Sequence, residues 1–224
     1  MTAPARNVQA VLFDLDGTLV DSAPDLAGAV NTLRTARGLP ALPLEALRPM
    51  VGAGARGMIG VAFGVTPSEP AFAALRDEFL AVYERTLLER TQVFEAMLPV
   101  LEALQAGGMP WGIVTNKATR YTEPIVEGLG LRSRIGALVC GDTTAHAKPH
   151  PAPLLEAARQ LGRAPADCIY VGDDHRDVAA GRAAGMPALV ALWGYLGQGE
   201  PVEAWGADAV LAAPNELLHW LRMA

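Results

Sequence analysis

The sequence predicts an α/β protein in which helices cover a parallel sheet and a helical cap is inserted after the first strand. Three observations predict this. The apolar residues 8–13 have the branched and aromatic composition of a strand buried on both faces. Residues 21–94 then show helical patterns and no convincing strand. From about residue 96, short apolar runs alternate with helical segments, which is the pattern of repeated βα units.

Composition excludes several classes of protein. The 224 residues carry a formal net charge of −6 and no basic block, which argues against a nucleic-acid-binding surface. No apolar run is long enough to cross a membrane, and the N-terminus does not resemble a signal peptide. Cys140 and Cys168 lie in apolar segments and are expected to be buried thiols rather than a disulfide. We therefore expect a cytoplasmic protein with no nucleic-acid or membrane partner, acting as a monomer or homodimer.

The segment after the first strand reads as helical throughout. Ser22, followed three residues later by Asp25, has the spacing of a helix N-terminus, and apolar residues recur at helical spacing to about residue 37. Further helical patterns cover residues 44–50, 55–63 and 70–88. A helical block of this length is too long for a simple crossover between two strands. We therefore expect residues 21–94 to form the cap, and residues 1–20 and 95–224 to form the catalytic core.

The alternation that follows supplies the rest of the sheet. Predicted strands cover residues 111–115, 137–140, 167–171 and 188–192. Predicted helices cover residues 96–106, 119–129, 152–161, 178–184 and 215–221, and glycines follow four of them. No internal repeat or low-complexity linker interrupts this order.

Polar clusters share one position, at or just beyond the carboxyl end of a predicted strand. This is the edge of an open α/β sheet at which ligands bind. The chain contains only two lysines, Lys117 and Lys148, so their presence in this part of the sequence invites a functional explanation. The clustered residues are Asp14, Asp16, Thr115, Asn116, Lys148, Asp173, Asp174 and Asp177.

This set of residue types suits phosphoryl transfer. Asp14 is placed as the nucleophile that attacks phosphorus, and Asp16 as the acid that protonates the leaving oxygen and then activates water. A phosphate monoester is itself anionic, and each like-charge pair at 4 Å costs about 4 kcal/mol at an effective dielectric of 20. A cation is therefore needed, and the hard oxygen ligands of Asp14, Asp173 and the Asp16 backbone carbonyl suit Mg²⁺.

Three further residues complete the predicted chemistry. Lys148 supplies a positive charge, and Thr115 supplies a hydroxyl donor to a phosphoryl oxygen. Asp177 lies about one helical turn after Asp173 and can hold a metal-bound water. The sequence therefore predicts metal ligation by Asp14, Asp16, Asp173 and Asp177.

These residues resemble, in order, the four motifs of the haloacid dehalogenase superfamily. The matching segments are DLDGT at 14–18, Thr115, Lys148-Pro149 and GDDHRD at 172–177. The resemblance covers the whole chain and implies a Rossmann-like core with strand order 3-2-1-4-5. More narrowly, the sequence resembles the phosphoglycolate phosphatase branch and the N-acetylmuramic acid 6-phosphate phosphatases within it. The stretches that carry this narrower resemblance are residues 54–56, 111–117, 171–177 and 193–195.

The residues discriminate among the reactions of the superfamily. Dehalogenases lack the second aspartate of the first motif, whereas Asp16 is present here. Phosphonatases need a cap lysine, and residues 21–95 contain none. The expected function is therefore hydrolysis of a small phosphorylated metabolite. The alternatives are a sugar phosphomutase, which the cap arginines leave open, and a non-catalytic phosphate-ligand-binding protein on the same fold.

Substrate choice is expected to come from the cap and from the second motif. Arg56, in the glycine-containing loop at 52–56, could grip a carboxylate or sugar oxygens, although that loop could equally be the simple start of a helix. Asn116 and Lys117 lie beside Thr115 and could line the pocket, with a solvated lysine at a helix start as the alternative for Lys117. The predicted substrate-binding residues are Arg56, Thr115, Asn116, Lys117 and Lys148.

Overall fold

The computed structural model describes residues 8–223. Its core is a six-stranded parallel sheet, and a two-stranded antiparallel ribbon lies apart from it. The strands in chain order are β1 (Ala10–Phe13), β2 (Val20–Asp21), β3 (Gln92–Val93), β4 (Trp111–Val114), β5 (Ala137–Val139), β6 (Cys168–Gly172), β7 (Ala188–Ala191) and β8 (Ala209–Leu211). The sheet order is β5-β4-β1-β6-β7-β8, so the chain's first strand lies in the interior of the sheet.

The apolar first strand is central because its side chains are covered on both faces. All four residues of β1 are fully buried, and Val11 pairs with Trp111 on one side and Ile169 on the other. The α/β class and the predicted order of the first five core strands are confirmed. The sixth strand, β8, was not predicted. It is three residues long, lies at the sheet edge and is only partly buried, so its hydrophobic pattern is weak.

Helices cover the sheet and build the cap. They are α1 (Ala23–Thr35), α2 (Leu44–Leu47), α3 (Gly54–Phe63), α4 (Ala71–Thr86), α5 (Leu98–Ala106), α6 (Thr119–Gly128), α7 (Ala152–Gln160), α8 (His175–Ala184) and α9 (Glu216–Leu221). Helices α1 to α4 form the cap, and short 3₁₀ turns continue α2 and precede α5. No helix in the described part of the chain has both the length and the hydrophobicity needed to span a membrane.

The cap connects to the core through the ribbon formed by β2 and β3. Val20 pairs with Val93, and Asp21 pairs with Gln92. The expectation that residues 21–94 contain no strand is therefore wrong for these short segments. Each strand is two residues long, which is too short to show an alternating hydrophobic pattern. The two strands also lie at opposite ends of the cap segment in the sequence, so no local pattern indicates that they pair.

The predicted start of α1 is correct, but the side chains of Ser22 and Asp25 do not cap the helix. Ser22 occupies the cap position, yet its side chain makes no capping hydrogen bond and instead donates to the Asp16 carboxylate. The Asp25 carboxylate accepts hydrogen bonds from the backbone and the hydroxyl of Thr91, at 2.8 and 2.7 Å. Both polar side chains are therefore used to join the cap helix to other segments. The two cysteines are free and buried, as expected.

Candidate active site

A cavity of about 340 Å³ opens at the carboxyl ends of β1, β4 and β6, between the sheet and the cap. The core contributes to its wall nearly every polar residue that the sequence singled out. They are Asp14, Asp16, Thr115, Asn116, Lys117, Lys148, Asp173, Asp174 and Asp177. The cap contributes Leu26, residues 51–55, Phe79, Leu80 and Tyr83. The sheet topology thus brings together residues that lie up to 163 positions apart, from Asp14 to Asp177.

Asp14 follows β1 directly, and its backbone N–H extends the sheet by donating to the Val171 carbonyl at 2.9 Å. Its Oδ1 accepts a hydrogen bond from the Leu15 N–H at 2.8 Å and lies 3.0 Å from the Lys148 Nζ. Burial raises the pKa of Asp14 to about 7, although the Lys148 charge opposes the rise. A carboxylate in this position is poorly solvated, which favours its reaction as a nucleophile once it is ionised.

Lys148 is the cation at the centre of the site, and its side chain is 2% exposed. Its Nζ lies 3.0 Å from Asp14 and 2.8 Å from Asp177 and donates to the Val114 carbonyl at 3.0 Å and to the Tyr170 hydroxyl at 2.6 Å. The two carboxylates raise the pKa of Lys148 against the opposing effect of burial, so its ammonium group stays charged.

Tyr170 was not predicted as a site residue. It lies on β6 within an uninterrupted apolar run, so nothing in the local pattern separates it from the core. Its hydroxyl donates to the Val114 carbonyl at 2.8 Å and accepts from Lys148. Burial raises the pKa of Tyr170 well above its usual value, so the hydroxyl keeps its proton. Tyr170 therefore helps to orient the lysine.

The side chain of Asn116 orients the same lysine by binding the backbone of Lys148. The Asn116 Nδ2 donates to the Lys148 carbonyl and its Oδ1 accepts from the Lys148 N–H, both at 2.9 Å. This reciprocal pair joins the loop after β4 to the segment before α7. Asn116 lies on the cavity wall as expected, but both functional ends of its side chain are already used for this positioning.

The carboxylates of Asp14, Asp173 and Asp177 converge, with one oxygen of each lying within 4.8 Å of the others. Asp173 is held by the Thr18 hydroxyl at 2.7 Å and by the Tyr195 N–H at 2.6 Å. Burial, together with the Asp14 and Asp177 charges, raises the pKa of Asp173 well above its usual value. A buried set of hard oxygen donors with this mutual repulsion fits a divalent cation.

Gly17 makes this arrangement sterically possible. Its φ of +85° lies in the left-handed region, and a Cβ there would come within 2.2 Å of the Asp173 Oδ2. Any larger residue would push this carboxylate out of the cluster. The glycine of the DLDGT segment is therefore required by a close approach across the sheet.

The Asp177 carboxylate is fixed by backbone hydrogen bonds at the start of α8, in addition to its predicted role of binding a metal-bound water. Its Oδ2 accepts from the backbone N–H groups of Asp173 and Asp174 at 3.1 and 3.0 Å. With the Asp174 side chain accepting from the Arg176 N–H, this forms a capping box. The box starts α8 at His175, three residues earlier than the predicted helix, because hydrophobic spacing does not reveal its polar first turn.

Asp16 is paired with a cation on the cavity wall. The Lys117 Nζ lies 2.9 and 3.0 Å from the two Asp16 carboxylate oxygens, and the lysine side chain is 9% exposed. The same Nζ lies 4.9 Å from the centre of the Tyr83 ring. The Asp16 charge raises the pKa of Lys117 above its ordinary value, in spite of burial. Lys117 is thus a largely enclosed cavity residue and not a solvated one.

Thr115 is 3% exposed, and its Oγ1 accepts a hydrogen bond from the Lys117 N–H at 3.1 Å. That contact uses a lone pair and leaves the hydroxyl proton available for donation toward the cavity. Its position beside Asp14, Asn116 and Lys117 on the wall is the one the sequence predicts.

The structure does not bring Arg56 to this cavity. Arg56 is exposed near the start of α3, and only its neighbours at 51–55 line the wall. The arginine that does lie on the wall is Arg176, which pairs with Asp174 at 2.7 Å and donates to the Gly52 carbonyl. Arg176 lies in the GDDHRD segment at 172–177, but no local pattern in the sequence predicts its contact with the cap loop at 51–55.

Comparison with known proteins identifies the family. A model of the family described as haloacid dehalogenase-like hydrolase matches residues 11–191. The chain belongs to the haloacid dehalogenase-like hydrolases. The crystal structure of a "predicted phosphoglycolate phosphatase" from Haemophilus somnus is similar to it with a TM-score of 0.82 and 27% identity, covering 96% of this chain and 98% of that one.

Curated relatives narrow the chemistry of this hydrolase. The phosphoglycolate phosphatase of Xanthomonas campestris is 48% identical, over 95% of this chain and 96% of the relative. The N-acetylmuramic acid 6-phosphate phosphatase of Pseudomonas putida is 41% identical, over 94% of each chain. These similarities confirm the predicted family and the prediction of a phosphoric monoester hydrolase.

Proposed function

We propose that this hydrolase removes the phosphate group from a phosphorylated sugar acid, with N-acetylmuramic acid 6-phosphate preferred over 2-phosphoglycolate. The phosphatase part rests on one observation above all. The buried Lys148 ammonium lies between the Asp14 and Asp177 carboxylates, at 3.0 and 2.8 Å, at the carboxyl end of the central strand. This arrangement supports Asp14 as the nucleophile and Lys148 as a fixed positive charge beside it, at the point where the phosphoryl group would bind.

The proposed reaction has two steps. In the first, an Asp14 oxygen attacks phosphorus, the bond from phosphorus to the leaving oxygen breaks, and Asp16 donates a proton to that oxygen. The product is an aspartyl phosphate. In the second, Asp16 takes a proton from a water molecule as the water attacks phosphorus, and the bond from phosphorus to the Asp14 oxygen breaks. This step releases inorganic phosphate, restores Asp14 and returns Asp16 to the protonated form that begins the next turnover. Lys148 and the Thr115 hydroxyl stabilise the negative charge that grows on the phosphoryl oxygens.

A divalent cation fits the acidic cluster, and we propose that it is Mg²⁺. Asp14, Asp173 and the backbone carbonyl of Asp16 would hold it, with Asp177 bound to one of its waters. When bound, the ion would offset the repulsion between these carboxylates and the substrate's phosphate. The protein itself fixes the positions of Asp173 and Asp177 through the hydrogen bonds of Thr18, Tyr195 and the α8 capping box.

The cap would exclude water from the site until the intermediate forms. We propose that residues 21–94 move as the cap, with hinges near residues 20–22 and 94–97, where the β2–β3 ribbon connects it to the core. Free buried cysteines fit a reducing cytoplasm as the site of action. We retain the expectation of a monomer or homodimer.

The preference for a sugar acid rests on the cavity. Its volume of about 340 Å³ lies within the range of about 300–1,000 Å³ found for pockets that enclose drug-sized ligands. A two-carbon acid would fill a small part of it. Leu26, Phe79 and Leu80 give an apolar wall that suits the C–H face of a sugar ring, and Lys117 supplies a cation for a carboxylate. Arg56 is not needed for that role.

The phosphomutase alternative is less well supported. A mutase must hold a second phosphate while its intermediate turns over, which calls for a cation on the cap side of the cavity. Among the described residues that line the cavity, the cations are Lys117, Lys148 and Arg176, and all three come from the core. The non-catalytic alternative conflicts with an intact nucleophile, acid and lysine in one site.

The deciding experiment compares kcat/KM for N-acetylmuramic acid 6-phosphate and 2-phosphoglycolate, with p-nitrophenyl phosphate as a generic substrate. We expect hydrolysis of all three with Mg²⁺ present, the highest value for the sugar phosphate, and loss of activity with EDTA that Mg²⁺ restores. A strong preference for 2-phosphoglycolate would overturn the sugar-acid proposal. Full activity in metal-free buffer would overturn the metal role, and no hydrolysis of any substrate would favour a binding protein.

A further inference from the structure

Arg176 connects the core to the cap at the cavity wall. It lies in the first turn of α8, and its Nε and Nη2 donate to the two oxygens of the Asp174 carboxylate at 2.7 and 2.8 Å. The same Nη2 donates to the Gly52 carbonyl of the cap. Arg176 and the cap loop at 51–55 line the catalytic cavity. One guanidinium group thus joins a core carboxylate to the wall that the cap contributes.

The cap loop is tied into the cap separately from this contact. It continues from a 3₁₀ turn that begins at Arg48, and the Arg48 guanidinium pairs at 3.0 and 2.8 Å with Asp21, which belongs to the cap segment itself. Among residues 8–223, no hydrogen bond other than that from Arg176 joins the loop to the core. The polar contact that places the loop against the core therefore rests on Arg176.

Gly52 allows the cap loop to lie directly against the core. A Cβ at this position would come 3.3 Å from the Tyr195 carbonyl oxygen and 3.5 Å from the Asp174 Oδ2. A branched side chain there would have to occupy the space between loop and core. Gly60, on α3 of the same cap, has open space at the corresponding position, with nothing within 4 Å beyond its own stretch of helix. The close approach is thus local to the point at which Arg176 makes its contact.

The residue type at 176 suits two acceptors held at once. Arginine carries five N–H donors in a rigid planar fork, so it can bind both oxygens of a carboxylate and still donate to a carbonyl. A lysine would also pair with Asp174, but its single ammonium group has no fixed fork. Pairing with Asp174 alone therefore does not explain an arginine, whereas the second acceptor on Gly52 does.

We propose that Arg176 is a positioning residue that holds the cap loop against the core and thereby sets the space available to the leaving group of the substrate. This rests on the proposed phosphatase function and assigns a residue that adjusts its specificity. Four of the five residues at 51–55 are glycine or alanine, so this wall is shaped by the position of its backbone more than by its side chains. Arg176 acts through the loop and takes no part in phosphoryl transfer.

The test changes the contact from both sides and measures selectivity. Arg176→Lys keeps a positive charge beside Asp174, and Gly52→Val separates loop from core without changing any charge. With Mg²⁺ present, kcat and KM are measured for N-acetylmuramic acid 6-phosphate and for p-nitrophenyl phosphate, whose activated leaving group depends less on enclosure by the cap.

We expect kcat/KM for the sugar phosphate to fall about tenfold in both variants. This is the lower end of the effect of losing a hydrogen bond to a charged group, because the Arg176 side chain is 36% exposed. The value for p-nitrophenyl phosphate should fall less, so that the ratio of the two drops at least about threefold. Hydrogen exchange of the amides at 52–55, measured without substrate, should be faster in both variants than in the wild type.

Two controls alter the cap in matched ways. Gly60→Val adds the same side chain where the Cβ meets open space, and Arg120→Lys alters the exposed ion pair that joins the core to Glu84 of the cap. Neither change should alter the selectivity ratio or the exchange of the cap loop.

An unchanged ratio in Arg176→Lys and Gly52→Val, or an equal drop in the controls, would overturn the positioning role. Unchanged hydrogen exchange of the cap loop in both variants would overturn it as well. Failure of the wild-type enzyme to hydrolyse either ester would instead overturn the proposed function. The exchange measurement needs no turnover, so the two failures are distinguishable.

Discussion

The Nζ of Lys117 lies 2.9 and 3.0 Å from the two carboxylate oxygens of Asp16, in an ion pair whose side chains are 9% and 17% exposed. A second ion pair, formed at the start of α6, is much more exposed to solvent. Arg120 and Glu84 also form an ion pair, but their side chains are 58% and 43% exposed. The chain therefore offers a largely enclosed and an exposed salt bridge, both near the junction of cap and core, for direct comparison.

Lys117→Met is expected to reduce both stability and activity. The change leaves the mostly buried Asp16 charge without its cation, which costs about 2–4 kcal/mol in the free energy of unfolding. It also releases the proposed proton donor from its position, so kcat should fall together with affinity for an anionic leaving group. Urea unfolding and steady-state kinetics measure the two effects. Arg120→Met is the control, and equal destabilisation by both changes would contradict the buried role of Lys117.

Asp14→Asn should abolish turnover while the protein stays folded. The amide cannot act as the nucleophile, and loss of a nucleophile typically lowers kcat by more than about 10⁴-fold. Lys148 keeps its contact with Asp177 at 2.8 Å, so the site should retain its shape. Circular dichroism and p-nitrophenyl phosphate hydrolysis provide the measurements, with the exposed Asp77→Asn as a matched control. A folded Asp14→Asn protein with normal turnover would refute the assignment of the nucleophile.

Tyr195→Phe should destabilise the protein although it removes a single oxygen atom. The Tyr195 hydroxyl accepts from the Ser22 and Ala23 N–H groups at 2.9 and 3.0 Å and donates to Asp21 at 2.7 Å. This core residue thereby provides a hydrogen-bond acceptor for two backbone N–H groups at the start of α1. Leaving these groups unpaired should lower the free energy of unfolding by about 1–3 kcal/mol.

The natural control for this change is Tyr121→Phe, because the Tyr121 hydroxyl has no partner in the described chain. Urea unfolding of the two variants side by side should show a clear loss for Tyr195→Phe and none for Tyr121→Phe. The opposite order would show that the hydrogen bonds at the start of α1 do not stabilise the fold.

The stabilising effect of Mg²⁺ should increase with pH. Burial raises the pKa of Asp14 from 3.8 to about 7 and raises that of Asp173 well above 3.8. When the pH lies between 3.8 and about 7, these carboxyl groups keep protons in the folded protein that they release in the unfolded chain. The free energy of unfolding of the metal-free protein should therefore fall as the pH rises from about 4 to about 7.

Mg²⁺ binds the ionised carboxylates, so it competes with these protons and should relieve the loss. We expect the rise in melting temperature caused by Mg²⁺ to be larger at about pH 8 than at about pH 5. Differential scanning fluorimetry with Mg²⁺ or EDTA at both pH values measures this, and Asp14→Asn should show a weaker pH dependence. A metal effect that is the same at both pH values would contradict the cation site.

The hydrophobic pattern was enough for the α/β class and the residues at the strand ends, and the order of the first five core strands was implied by the resemblance of the four motifs to the haloacid dehalogenase superfamily. Asp14, Asp173 and Lys148 could be predicted to meet because each follows or precedes a recognisable element. The carboxyl ends of parallel strands lie on one edge of the sheet, so placing the strands places these side chains. Their residue types then limited the chemistry to phosphoryl transfer.

Contacts across the boundary between cap and core could only be decided by the tertiary structure. Arg56 was predicted to reach the cavity and lies exposed, whereas Arg176 reaches the cap loop and Tyr195 caps the first cap helix. The pairing of β2 with β3 is a further contact of this kind. Strand ends follow from local hydrophobic patterns, but these contacts depend on how the side chains of the cap pack against those of the core, which no local pattern in the sequence encodes.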